Sequence, residues 1–162
     1  MAVDSTRHEG TTVYVCLPFE LAGEQVHEQS WVQVEDKADA DPTGRVLVVD
    51  DDEVSLRTLN LMLSKAGYAP VCVQDGQEAL HILDQEPFDC VLMDIQMPEV
   101  DGIEATQRIR ASQTEYADIP IIALTAYAMT GDREKFLAAG MNAYLSKPVV
   151  MHHLLQTIQD HL

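Results

Sequence analysis

Residues 88–102 read Phe-Asp-Cys-Val-Leu-Met-Asp-Ile-Gln-Met-Pro-Glu-Val-Asp-Gly, and the fold turns on this stretch. Cys90–Met93 is a short unbroken apolar run, the mark of a strand covered on both faces. It runs straight into a carboxylate, Asp94. Met97-Pro98 then stops regular structure, because proline has no amide hydrogen and restricts the residue before it. Asp94 is therefore expected at the carboxyl end of a central strand, where open α/β sheets hold ligands.

Outward from that strand, the patterns alternate from Arg45 on. Val46–Val49 and Ala69–Val73 read as strands before it, and Ile119–Leu124 and Ala143–Leu145 as strands after it. Between and after them fall helices. Ser55–Ala66 carries apolar Leu56, Leu59, Met62, Leu63 and Ala66 and is closed by Lys65 and Gly67. Gln77–Leu83 is ended by Pro87, and Ile103–Ala111 follows Gly102. Thr130 is an N-cap candidate for a helix stopping at Gly140. Val150, Leu154, Leu155, Ile158 and Leu162 form one stripe of a last helix. Five strand–helix units predict a doubly wound α/β sandwich, (βα)5, with the flavodoxin-like parallel strand order 2-1-3-4-5. That order opens the ends of the first, third, fourth and fifth strands into one shallow cleft.

Those strand ends are chemically unusual. The first runs into Asp50-Asp51-Asp52, the third into Asp94, the fourth into Thr125-Ala126 and the fifth into Lys147-Pro148. Crowded carboxylates raise one another's pKa, and a hard divalent cation relieves the repulsion. Oxygen ligands with open water positions suit Mg²⁺. Lys147 and the Thr125 hydroxyl then face an anionic position, which makes a phosphoryl site: carboxylate nucleophile, metal, cation and hydroxyl. Taken singly, each signal has a plain explanation. An acidic triplet is often a solvated helix start, and an Asp before Met-Pro can be a turn former. Their coincidence at one sheet edge is what argues for chemistry. His152-His153 are adjacent on a helix and poor joint ligands, and His81 reads as a helix surface residue.

Val46-Leu-Val-Val-Asp-Asp-Asp, Leu92-Met-Asp-Ile-Gln-Met-Pro-Glu-Val-Asp-Gly, Ile121-Ile-Ala-Leu-Thr-Ala and Ala143-Tyr-Leu-Ser-Lys-Pro together resemble the receiver domain of two-component response regulators. The resemblance covers about Arg45–Leu162. It implies that Asp94 accepts a phosphoryl group from a phosphohistidine. Asp51 would ligate Mg²⁺ directly, Asp50 through water, and the Gln96 carbonyl would complete the protein ligands. Thr125 would be the switch hydroxyl and the Ala126 amide a phosphoryl contact. Lys147 would pair with a phosphoryl oxygen, and Tyr144 would be the aromatic switch that follows Thr125. Gln96 and Tyr127 fall at positions that tune dephosphorylation in the family. The Lys147-Pro148 bond is usually cis there. The implied partners are a histidine kinase or a histidine phosphotransfer protein.

Residues 1–44 differ in character. They hold nine acids and two bases of a chain whose formal net charge is −17. That charge argues against nucleic-acid binding through a basic patch. Thr12–Leu17 reads as a strand, and because a lone strand is unstable in water it needs a partner in the main domain or outside this sequence. Trp31–Val34 is an apolar island, and 36–44 reads as a linker. Two domains are expected: 1–44, strand and acidic linker, and 45–162, receiver. Glu9-Gly-Thr-Thr-Val-Tyr-Val-Cys-Leu-Pro-Phe resembles the terminal strand of a histidine-kinase ATP-binding domain. The preferred origin is thus the C-terminal piece of a hybrid histidine kinase. No kinase motif falls within these residues, and no output domain is expected after Leu162. No secretion signal, membrane span or metal-spaced cysteines appear, which fits a reducing cytoplasm. Dimerisation through the last strand and helices is left open. Two other readings compete: a free-standing single-domain regulator, and a haloacid-dehalogenase-like phosphatase with Asp50 as nucleophile. The second lacks a cap insertion and gives Asp94 no role.

Overall fold

The computed structural model describes residues 2–6, 10–14, 43–126 and 132–162, in two units, Met1–Ala38 and Asp39–Leu162. In the first, β1 (Ala2–Thr6) and β2 (Gly10–Tyr14) form an antiparallel hairpin with Ala2 opposite Tyr14 and Thr6 opposite Gly10. This corrects the sequence expectation on one point. The strand begins at Gly10, and its partner lies immediately upstream in the same chain. Ala-Val-Asp-Ser-Thr offers little strand propensity of its own, so only its position a few residues before β2 marks it as the pairing segment. Cys16, Leu17, the 31–34 island, Tyr127 and Thr130 lie outside the described residues.

The second unit runs β3 (Arg45–Val49), α1 (Glu53–Lys65), β4 (Ala69–Val73), α2 (Gly76–Leu83), β5 (Cys90–Asp94), α3 (Gly102–Ala111), a 3₁₀ turn (Glu115–Asp118), β6 (Ile121–Thr125), α4 (Asp132–Ala138), β7 (Ala143–Ser146) and α5 (Met151–Gln159). All five strands are parallel in the order β4-β3-β5-β6-β7. Counted from Arg45, that is second, first, third, fourth, fifth, as the alternation of elements predicts.

The uniformly apolar strands sort by strand parity. Leu47, Val49, Val91, Met93, Ile121 and Ala123 enter one core with Ala79, Leu83, Ala105, Ile109 and Phe136 from α2, α3 and α4. Val46, Val48, Leu92, Ile122 and Leu124 enter the other with Leu56, Leu59 and Leu63 of α1 and Leu154 and Ile158 of α5. Successive strand residues point to opposite faces, so a strand covered on both sides must be apolar throughout. Burying each valine, leucine, isoleucine, methionine or phenylalanine among them contributes about 1.5–3 kcal/mol before conformational entropy is subtracted.

Three helices start on the same device. Asp52, Asp75 and Asp101 each accept a hydrogen bond from the backbone N–H three residues on, at Ser55 (2.9 Å), Glu78 (2.7 Å) and Glu104 (2.7 Å). These caps satisfy donors that a helix start leaves orphaned. They also place the α1 start two residues earlier than apolar periodicity suggests. The fourth strand of the sheet begins at Ile121 rather than Ile119. Pro120 has no N–H to give the ladder, and Ile119 closes the 3₁₀ turn by donating to Tyr116 O at 3.1 Å. Gly67 follows α1 with φ 88°, the left-handed conformation that glycine adopts without a Cβ clash.

The two described cysteines differ in reach. Cys90 is fully buried between β3 and β6, and burial pushes its thiol up to about 12. At pH 8 about one molecule in ten thousand then carries the thiolate. Burial also raises the Cys72 thiol, but this residue is only half-buried. Alkylation of the native chain at pH 8 is expected to modify Cys72 on the order of tenfold faster than Cys90 or more, read by peptide mass spectrometry. Equal rates would mean that the β5 strand opens readily.

Candidate functional site

The site is built where β3, β5, β6 and β7 end. β3 delivers Asp50 in a fully buried position, with its Oδ1 accepting from Asp52 N at 3.0 Å. Asp51 follows, exposed. β5 delivers Asp94, 4% exposed. Its Oδ1 accepts from Gln96 N at 3.4 Å, and the Ile95 N–H reaches Leu124 O at 3.0 Å, so the strand's hydrogen bonding continues one residue past the acid. The loop after Asp94 folds back on it. Met97 tucks into the α2–α3 core, Val100 N donates to Pro98 O at 2.8 Å, and Glu99 takes a left-handed φ of 64°. Gly102 N then returns to Ile95 O at 3.2 Å.

β6 brings Thr125, 3% exposed, with Ala126 exposed behind it. β7 lies parallel to β6, and Lys147 N donates to Thr125 O at 2.7 Å. The Lys147–Pro148 peptide is cis, as the resemblance implies. The Lys147 ammonium lies 2.6 Å from Asp50 Oδ2 and 2.9 Å from Asp94 Oδ2. It therefore joins the two acids instead of facing an open position beside them. At the far ends of the same strands, Arg110 donates to Ala117 O (2.6 Å), Gly140 O (2.9 Å) and Asn142 Oδ1 (3.0 Å). Asn142 Oδ1 also accepts from Ile121 N at 2.9 Å, so the feet of β6 and β7 are tied together.

The electrostatics follow from this packing. Burial raises the Asp94 carboxyl above its ordinary value, and the neighbouring Asp50 adds to the rise. The Lys147 hydrogen bond and charge and the Gln96 N–H oppose it. Burial would depress the Lys147 ammonium, but the bonds from Asp50 and Asp94 outweigh it and hold the lysine above its ordinary value. One oxygen from each of Asp50, Asp51 and Asp94 lies within 4.8 Å of the others. Three carboxylates against one ammonium leave two negative charges unbalanced. An all-oxygen, doubly negative donor set fits a hard divalent cation.

Tyr144 stands apart from this cluster. It is 39% exposed on β7, its ring centroid 6.3 Å from that of Phe136 on α4. Sequence reasoning found the strand-end residues but not the ammonium's position between two acids, nor the three aspartate caps. An Asp followed three residues on by Ser55, Glu78 or Glu104 was the signal available for the caps.

A match to the response regulator receiver domain spans residues 46–159. The chain belongs to the response regulator receiver family. The polar-differentiation response regulator DivK of Brucella ovis is 37% identical over 120 residues, which are 74% of this chain and 97% of DivK. The sensor protein GacS of Pseudomonas syringae is 42% identical over 116 residues, 70% of this chain but only 13% of GacS. Among solved structures, the receiver domain of the Pseudomonas aeruginosa sensor histidine kinase PA1611 has a TM-score of 0.68 and 40% identity, covering 73% of this chain and 96% of that one. That crystal structure holds a magnesium ion coordinated in its active-site cleft. Membership gives this receiver its place in two-component phosphorelay signalling and leaves no room for the phosphatase reading built on Asp50. No helix among the described residues is long and apolar enough to cross a membrane.

Proposed function

We propose that this receiver takes a phosphoryl group onto Asp94 from a phosphohistidine on a histidine kinase or histidine phosphotransfer protein. The single observation that carries this reading is the ion cluster in which the partly buried Lys147 joins buried Asp94 and Asp50, with Asp51 at its mouth. Asp94 Oδ attacks phosphorus, the histidine N–P bond breaks as the O–P bond forms, and the imidazole leaves. Asp50, Asp51 and Asp94 would hold Mg²⁺, with the Gln96 carbonyl as a further ligand. The ion, when bound, offsets the negative charge gathered around the phosphoryl oxygens. Lys147 moves its ammonium from Asp94 to the new phosphoryl oxygens, a charge-assisted contact that strengthens as charge develops. The Thr125 hydroxyl and Ala126 N–H complete the cradle. Tyr144, half out in solvent beside α4, is the aromatic whose rotamer follows Thr125 inward.

The 42% identity to the GacS segment supports an origin in a hybrid histidine kinase. The near-complete coverage of DivK favours a second reading, a free-standing regulator. In both, the receiver is cytoplasmic. Purified chain incubated with acetyl phosphate and Mg²⁺ should gain one hydroxylamine-labile phosphate on the peptide holding Asp94. Finding no label, or label on another peptide, overturns the assignment.

Lys147→Met separates electrostatics from scaffolding. Removing the ammonium leaves Asp50 and Asp94 without their cation. Mg²⁺ should then bind more tightly, by roughly tenfold, while labelling slows on the order of a hundredfold. Titration of Mg²⁺ and the labelling time course read the two effects. A parallel fall in both would make Lys147 merely structural.

A further inference from the structure

The opposite edge of the sheet carries a concavity that phosphotransfer does not use. A groove of about 790 Å³ lies between the segment from the end of α2 to β5 and the 3₁₀ turn that leads to β6. Leu83, Phe88, Ile119 and Pro120 supply an apolar floor, and Phe88 and Tyr116 pack onto the α2–α3 core. The rim carries Asp84, Glu86, Asp89, Glu115 and Asp118, and no lysine or arginine lines it. Its walls are fastened: the Tyr116 hydroxyl donates to Asp84 Oδ1 across the groove at 2.6 Å. Arg45, behind one wall, pairs with Glu86 and lies 4.9 Å over the Phe88 ring.

We propose that this groove docks a basic segment of a partner protein, with one bulky apolar side chain on the floor and lysines or arginines on either side meeting the rim. The volume is in the range that takes a large side chain with its flanks. Charge complementarity selects the occupant: with Glu86 already paired to Arg45, the other four carboxylates attract a cationic chain and repel a second copy of a protein of net charge −17. The five-residue strands β5 and β6 separate the groove from Asp94 by roughly 15 Å, so both sites can be filled at once.

The test uses the full chain, ¹⁵N-labelled and saturated with Mg²⁺, and the peptide Gly-Lys-Arg-Phe-Arg-Lys-Gly. Amide shifts are expected to cluster at Phe88, Asp89, Tyr116 and Ile119. Replacing the peptide's phenylalanine with glycine should weaken binding about tenfold or more, an arm that needs no protein variant. Glu115→Gln with Asp118→Asn should weaken it about fivefold, whereas Glu134→Gln with Asp160→Asn, of equal charge change, should leave it unaltered. Acetyl phosphate labelling should be the same in all of them. Four results overturn the proposal: no shifts up to millimolar peptide, shifts centred on Asp50, Asp51 and Asp94, equal binding of the glycine peptide with shifts over the whole surface, or sedimentation showing the groove closed by a second copy.

Discussion

Asp94→Asn is expected to reduce acyl-phosphate formation to background, with the chain still folded. The amide matches the carboxylate in shape and keeps an oxygen near the Gln96 N–H, which lies 3.4 Å from Asp94 Oδ1. It has no anionic oxygen to attack phosphorus and cannot form the mixed anhydride. It also turns one of the two carboxylate contacts of Lys147, that at 2.9 Å, into a neutral one. The fold should survive, because the charged carboxylate is the form that burial disfavours at this position. Removing one member of a buried ion pair is costly when it strands the other, but here the Lys147 ammonium keeps Asp50 at 2.6 Å. Two measurements on one sample read the result: hydroxylamine-labile phosphate after acetyl phosphate and Mg²⁺, and thermal unfolding. Undiminished label would move the nucleophile elsewhere, with Asp50→Asn the next variant to examine. Lost label with lost folding would leave the chemistry unassigned to Asp94, which is why the melting curve belongs to the experiment.

The sequence carried this site unusually far, and for a physical reason. A strand covered on both faces has to be apolar along its whole length, so a carboxylate at its end interrupts the pattern visibly. Asp50, Asp94 and Thr125 each stand at such an interruption, Lys147 follows the half-exposed edge strand β7, and parallel topology gathers those ends on one edge. What stayed hidden depended on direction and distance. Nothing in the order of residues says that Lys147 would reach 2.6 Å from Asp50 as well as 2.9 Å from Asp94, because that depends on how far β7 advances past β6. The N-terminal hairpin was half legible. β2 announces itself by Thr-Thr-Val-Tyr, while β1 holds Asp4 and Ser5 and becomes a strand because of its partner. The groove was illegible altogether: Asp84, Glu86, Glu115 and Asp118 come from two connections some thirty residues apart, and each reads alone as an ordinary solvated acid.

The second large effect is expected at a residue with no chemistry of its own. Gly102 opens α3, and its backbone rests on the end of β5. A Cβ placed there would lie 2.1 Å from the carbonyl oxygen of Asp94 and 3.0 Å from Met93 Cγ. Backbone cannot rotate out of the way as a side chain can, so either α3 or the end of β5 has to move. Moving α3 strains the Gly102 N–H bond to Ile95 O at 3.2 Å and pulls on Thr106, whose buried hydroxyl donates to Gly102 O at 2.7 Å. Moving β5 shifts Asp94 itself relative to Lys147. Gly102→Ala should therefore cost about 3 kcal/mol, a fall in Tm of roughly 10 °C, and should slow acetyl phosphate labelling in the molecules that remain folded. Gly76→Ala provides the comparison. Its Cβ would meet Val100 Cγ1 at 3.0 Å, Ala105 Cβ at 3.1 Å and the Val100 carbonyl at 3.1 Å, a tight approach but one where a few tenths of an ångström of yielding suffices. Its Tm should fall by much less, and its labelling should hold. If the two variants melted together and labelled alike, the close approach of α3 to Asp94 would have no part in positioning the acceptor.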